Sequence, residues 1–231
     1  MAKKNQINGI DVSYHQGIIN WDTVKKHISF AMIRAGYGQG TVDKYFERNS
    51  SECERLNIPY GVYWFSYAKN ANEAIQEAQF CLNTIKNKNL SYPVVFDFEY
   101  ASDENAVKNK YKLNNTDRYI IAKSFLETVE KAGYYAMIYS NKDYLSKGFI
   151  ALTERYDLWF ARWGDIEEPG QTCGIWQWTD NGKVEGINGA VDLNIAFKDY
   201  PGMIHKTTPK NNIKERLKKL LEELSDIIEG L

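Results

Sequence analysis

Long apolar runs are missing from this 231-residue chain, so no segment is long enough to cross a bilayer as a helix. Charge of one sign is not in excess either. Lys and Arg number 29 and Asp and Glu number 30, a formal charge of -1. A protein that lives on phosphate contacts carries a basic surplus, so nucleic acid is not expected as the main partner. Cysteine is scarce. Cys53, Cys81 and Cys173 are odd in number and widely spaced, which gives neither a disulfide framework nor a zinc motif and implies synthesis in a reducing compartment. The N-terminal Met-Ala-Lys-Lys-Asn-Gln has no apolar stretch behind its lysines, so no secretory signal is expected. Aromatic side chains, in contrast, are abundant: 14% of the chain, with 16 Tyr and 6 Trp. Rings in that quantity suit a large core or a groove for a ligand with flat apolar faces.

Strand-like and helix-like segments alternate. Strands are expected at Gly9–Ser13, Phe30–Gly36, Tyr60–Tyr67, Tyr92–Tyr100 and Tyr134–Ser140. Helices are expected at Trp21–Ile28, Asp43–Leu56, Ala71–Ile85 and Asp117–Ala132, with Gly133 as a stop signal. Three further strands follow, at Asp157–Trp163, Gly174–Thr179 and Ala190–Ala196. Their connections are too short and too rich in Gly, Pro and Asp for full crossover helices. Two Asn-Gly pairs between the last two are hairpin signals. Five βα units followed by three strands predict an α/β fold, an irregular TIM-like barrel whose last part lacks outer helices. An open doubly wound sheet is the alternative, but no phosphate-cradling glycine loop follows the first strand.

The most informative segment is Pro93–Tyr100. Strand alternation puts Val95, Asp97 and Glu99 on one face and Val94, Phe96 and Phe98 on the other. Two acids on a strand that otherwise reads as buried are costly unless paired or protonated. Like-charge neighbours raise one pKa, which gives a carboxyl able to act as a general acid near neutral pH. Asp11 in GIDVS and Asp192 in AVDLNIA hold comparable places, and first and last strands become neighbours when a barrel closes. Each alone reads equally as a turn former or a surface ion-pair partner. Around these acids, Tyr67, Tyr139 and Trp163 stand at strand ends, and Gln177 offers an amide. Rings with amide donors suit a carbohydrate, although for any single ring a core role is the default.

GIDVSYHQG, VVFDFEY, DLWFARW and IWQWTDNGKVEGINGAVDLN, in that order from Gly9 to about Phe197, resemble glycoside hydrolase family 25, the lysozymes (N-acetylmuramidases) of phage endolysins and bacterial autolysins. The resemblance implies a flattened β5α5β3 barrel and cleavage of the β-1,4 bond between N-acetylmuramic acid and N-acetylglucosamine in bacterial peptidoglycan. It implies Glu99 as proton donor, Asp97 as the assisting carboxylate, and Asp11 and Asp192 as the remaining catalytic acids. Tyr67, Tyr139 and Trp163 match substrate-binding positions, Gln177 joins them as an amide donor, and His15 in GIDVSYHQG reads as a loop histidine without a role rather than as part of the groove rim. No cofactor and no metal are implied. Inverting, retaining and acetamido-assisted routes stay open from sequence, since residues i and i+2 of a strand lie about 6.5 Å apart at Cα and rotamers alter the carboxyl separation. The resemblance favours acetamido participation. A phage endolysin, made in the host cytoplasm and acting on the wall, fits the missing signal.

Two other readings compete. One is a wall-glycan-binding protein on the same barrel with catalysis lost. The other is a hydrolase holding Mg or Ca on the four acids. Beyond a barrel over residues 1–200, residues 201–212 read as a linker. Residues 213–231 read as an amphipathic helix, with Ile213, Leu217, Leu220, Leu224, Ile227 and Leu231 on one seam. Its basic first half and acidic second half favour antiparallel pairing. Either it joins copies of the chain as a homo-oligomer or it folds back on its own barrel.

Overall fold

The computed structural model describes residues 7–164 and 172–204. Nine strands and five principal helices follow one another: β1 (Ile7–Val12), α1 (Trp21–Val24), β2 (Phe30–Tyr37), β3 (Thr41–Val42), α2 (Phe46–Leu56), β4 (Tyr60–Phe65), α3 (Ala71–Ile85), β5 (Val94–Asp97), α4 (Tyr100–Lys108), α5 (Asn115–Lys131), β6 (Ala136–Asn141), β7 (Asp157–Ala161), β8 (Ile175–Gly182) and β9 (Val191–Ala196). Eight of the strands close into a barrel in the order β1-β9-β8-β7-β6-β5-β4-β2, with β2 pairing back onto β1. The α/β barrel expected from the sequence is the fold found, and the open doubly wound alternative is set aside by this closure.

Neighbouring strands run parallel from β1 through β2, β4, β5, β6 and β7 to β8. β9 alone runs against both of its neighbours, β8 and β1. The cause is local: β8 turns back through a short connection with Gly186 and Gly189 at positive φ, too short for a crossover helix. Reversal puts the beginning of β9 at the same rim as the ends of the parallel strands.

Alternation of side chains divides the core in two. Inside the barrel lie Phe30, Met32, Tyr92, Val95, Met137, Trp159 and Ile175. Outside it, Ile33, Val62, Trp64, Phe96 and Phe98 meet the buried faces of the helices, such as Ala78 and Cys81 of α3 and Phe125 of α5. Asn70 caps α3 by accepting the Glu73 N–H at 3.0 Å, and Asn114 caps α5 by accepting the Asp117 N–H at 3.0 Å.

Three features depart from expectation. β5 ends at Asp97, so Glu99 stands beyond the ladder as the residue before α4. Its backbone remains extended (φ -134°, ψ -170°), and the alternation carries through to it. α4 itself is not visible in the sequence because YASDENAVK has almost no apolar stripe: only Ser102 and Ala106 are buried. Third, Pro201–Ile204, expected as linker, belongs to a helical turn, Tyr200–Ile204, that plugs the lower end of the barrel. Tyr200 donates its hydroxyl to Asp157 at 3.0 Å. Residues 205–212 of the expected linker and the amphipathic segment 213–231 lie outside the described residues.

Gly61 makes room for the interior. A Cβ there would meet the Pro93 carbonyl oxygen at 2.5 Å and the Tyr92 Cβ at 2.7 Å, beside the Phe30–Tyr92 ring stack at 4.5 Å. Gly61→Ala is expected to lower stability by about 1–3 kcal/mol through overpacking, read as a drop in the urea midpoint. An unchanged midpoint contradicts this tight interior.

Candidate active site

Asp11 lies near the end of β1, Asp97 at the end of β5, Glu99 two residues on, and Asp192 at the second position of β9. All four line one cavity of about 260 Å³ at the barrel's upper rim, together with Ser13, His15, Gln16, Arg34, Tyr63, Phe65, Tyr139, Trp159, Trp163 and Gln177. Asp192 arrives there because β9 is reversed: it stands at the amino end of its strand, directly opposite Asp11 in the ladder. Trp163, Tyr139 and Gln177 border the cavity. Tyr67 does not line it; its ring sits edge-on to Phe65 at 5.3 Å and to Tyr37 at 6.3 Å.

A chain of donors fixes Asp11. Tyr139 Oη and Trp163 Nε1 each donate to Gln177 Oε1 at 3.0 Å. An indole N–H can only donate, so the Gln177 amide is oriented, and its Nε2 donates to Asp11 Oδ2 at 2.9 Å. From the other side, Trp159 Nε1 donates to Asn194 Oδ1 at 2.8 Å, and Asn194 Nδ2 donates to the same Asp11 oxygen at 2.8 Å.

Burial drives the electrostatics. Asp11 and Asp97 are each only 5% exposed. Burial raises Asp11, and bonds from Asn194, Gln177 and Asp192 oppose the rise. Asp192 is pushed up to about 9 by burial and then by the charge of Asp11, so at neutral pH it keeps its proton and shares it with Asp11. Asp97 is raised well above the carboxylate range by burial and then by Glu99 and Asp11, while Arg34 pulls the other way. Glu99 is pushed up to about 7 by burial and by Asp11, and its hydrogen bond with Asp97 holds it back. Asp97 and Glu99 are thus two neighbouring carboxyls in one cavity, and ionisation of one makes ionisation of the other costlier.

Arg34 was not singled out by sequence reasoning, although a lone cation in the apolar strand FAMIRAG was the signal. Its Nε donates to Asp43 Oδ2 at 2.8 Å, and the ring of Tyr14 lies 4.8 Å from its guanidinium carbon. The Nη2 of this buried side chain has no partner within the protein, and neither does Oδ1 of Asp97. Tyr63 and Phe65 fall within the strand expected at Tyr60–Tyr67, and their inward positions on β4 place them in the wall.

A carboxyl that keeps its proton, a second carboxyl beside it, and walls of rings and amides equip a site to protonate a glycosidic oxygen and to stabilise the sugar left behind. Barrel and site together define a glycoside hydrolase. The chain belongs to glycosyl hydrolases family 25, whose model matches residues 10–187. It is 30% identical over 198 residues to the protein YegX of Escherichia coli O157:H7, covering 82% of this chain and 69% of that one. It is 27% identical over 205 residues to Lysozyme M1 of Streptomyces globisporus, covering 84% and 68%. Among solved structures, the modular autolysin LytC of Streptococcus pneumoniae superposes with a TM-score of 0.73 at 29% identity, over 84% of this chain. The chain spans about half the length of that autolysin, 47%.

The raised carboxyls carry a sign for stability. Between the ordinary glutamate value of 4.5 and its folded value of about 7, Glu99 holds a proton that the unfolded chain has released. Stability therefore falls as pH rises through that window. Glu99→Gln is expected to raise the urea midpoint above wild type at about pH 8, with the gain fading toward about pH 4. A gain equal at both pH values contradicts the raised carboxyl.

Proposed function

We propose that this protein is an N-acetylmuramidase that cleaves the β-1,4 bond between N-acetylmuramic acid and N-acetylglucosamine in bacterial peptidoglycan. The observation that carries this reading is the Asp97–Glu99 pair in the cavity, two neighbouring carboxyls that burial pushes above the ordinary carboxylate range. Glu99 is the proton donor to the bridging oxygen. Asp97 offers a buried Oδ1 with no partner in the protein, and this oxygen accepts the acetamido N–H of the muramic acid. Engagement by that donor favours ionised Asp97 and moves the shared hydrogen onto Glu99. The acetamido oxygen, so oriented, closes on the anomeric carbon as the bond to the leaving sugar breaks, and water later opens the ring formed.

Asp11 supplies the charge that keeps the Glu99 proton in place, and Asp192, itself protonated, bonds to Asp11. Tyr139, Gln177 and Trp163 bind the sugars, with Tyr67 beyond the rim on the same side. The protein acts on the bacterial cell wall, and the role we infer is that of a phage endolysin. Residues 213–231 then multiply weak wall contacts by joining several catalytic barrels. Truncation before Lys210, followed by mass measurement in solution, tests that last point: a fall in oligomeric state is expected, and an unchanged state removes it.

Glu99→Gln is expected to cut clearing of purified cell walls by about 10²–10⁴-fold while wall binding persists. Mass spectrometry of the wild-type digest should show new reducing ends on muramic acid. Reducing glucosamine ends, a cut amide, or binding without any product would each refute the assignment.

A further inference from the structure

Glu77 lies in the middle of α3 and is fully buried, yet it does not border the active-site cavity. Its Oε1 accepts the backbone N–H of Tyr67 at 3.0 Å and the side-chain amide of Gln39 at 3.3 Å. One carboxylate thereby grips two loops at the rim: the end of β4, and the turn Gly38–Gln39–Gly40 between β2 and β3. The turn is committed to that place. Gly38 and Gly40 hold positive φ values of 54° and 96°, and Gly38 donates its N–H to the Phe65 carbonyl at 2.9 Å.

The gripped strand end is the immediate neighbour of Asp97. Phe65 is the ladder partner of Asp97 and lines the cavity. Ser66 donates its N–H to the Asp97 carbonyl at 2.7 Å. The β4–β5 ladder stops there, so the position of Asp97 depends on how firmly Phe65–Tyr67 is held from behind. A buried carboxyl is a costly way to fill space, and burial pushes Glu77 up to about 7 against the hydrogen bonds it accepts. An apolar side chain would fill the same volume but leave the Tyr67 N–H without an acceptor.

The geometry points to Glu77 as a positioning residue of the hydrolase, bracing the end of β4 so that Asp97 is held in place beneath the sugar. This rests on the assignment of Asp97 made above. The test uses the full chain with Glu77→Ala, Glu77→Gln and Gln39→Ala. Glu77→Gln keeps an oxygen where the two N–H groups need one. Folding is verified by circular dichroism.

Misplacement of a reacting group by about 1 Å costs on the order of 10²-fold, so Glu77→Ala should lower kcat on solubilised glycan by at least about 10-fold, with KM within about 3-fold. Glu77→Gln should return kcat to within about 3-fold of wild type, and Gln39→Ala, which removes one of two grips, should fall between. A folded Glu77→Ala with wild-type kcat, or Glu77→Gln as poor as Glu77→Ala, overturns the proposal. If Glu77→Ala does not fold, an unchanged kcat in Gln39→Ala overturns it.

A second readout is independent of activity: the NMR titration of the Asp97 carboxyl should shift in Glu77→Ala and not in Glu77→Gln. If the wild type releases no reducing muramic ends, the muramidase reading fails, and the Asp97 titration still decides the brace.

Discussion

Four carboxyl groups share one cavity, two of them almost wholly buried, and the free energy of ionising them there governs the rest of the site. In water each would be charged at neutral pH. Behind the barrel rim, with Asp11 and Asp97 almost wholly buried, ionisation of one raises the cost of ionising the next. Hydrogen then stays on some of them, and a glycoside hydrolase needs such a hydrogen held ready for a leaving oxygen.

The scaffold makes this arrangement durable. Donors converge on Asp11 from Gln177 and Asn194, and these are locked in turn by Tyr139, Trp163 and Trp159. Asp11 is thereby favoured as the anion of the group, and its charge falls on Asp192 and Glu99. The reversed last strand is what brings Asp192 opposite Asp11; a ninth strand in the parallel sense would carry its second residue to the lower end. The rest of the rim is tied by carboxylates outside the cavity, Asp43 on Arg34 and Glu77 on the loop after β4. Function thus sits on strand ends whose positions are fixed from behind.

Much of this was legible in the sequence. The seven parallel barrel strands announce themselves as apolar runs because parallel strands are buried on both faces, and the antiparallel β9 is visible as AVDLNIA. Alternation in VVFDFEY puts Asp97 and Glu99 on one side, and closure of the barrel brings Asp11 and Asp192 together. Other parts were hidden for physical reasons. α4 buries too little apolar surface to leave a stripe, only Ser102 and Ala106. The turn before β9 was legible as two Asn-Gly pairs, and the structure adds that this short connection reverses β9 against both of its neighbours. Arg34 and Glu77 act through tertiary contacts with partners distant in sequence, such as Glu77 with Gln39, and no local pattern encodes those.

Site-resolved carboxyl NMR across a pH titration tests the central claim most directly. If the account holds, Glu99 titrates near about 7, with Asp97 and Asp192 also displaced far above ordinary carboxylates. Four carboxyls all titrating in the ordinary aspartate and glutamate range, at about 4, would contradict it.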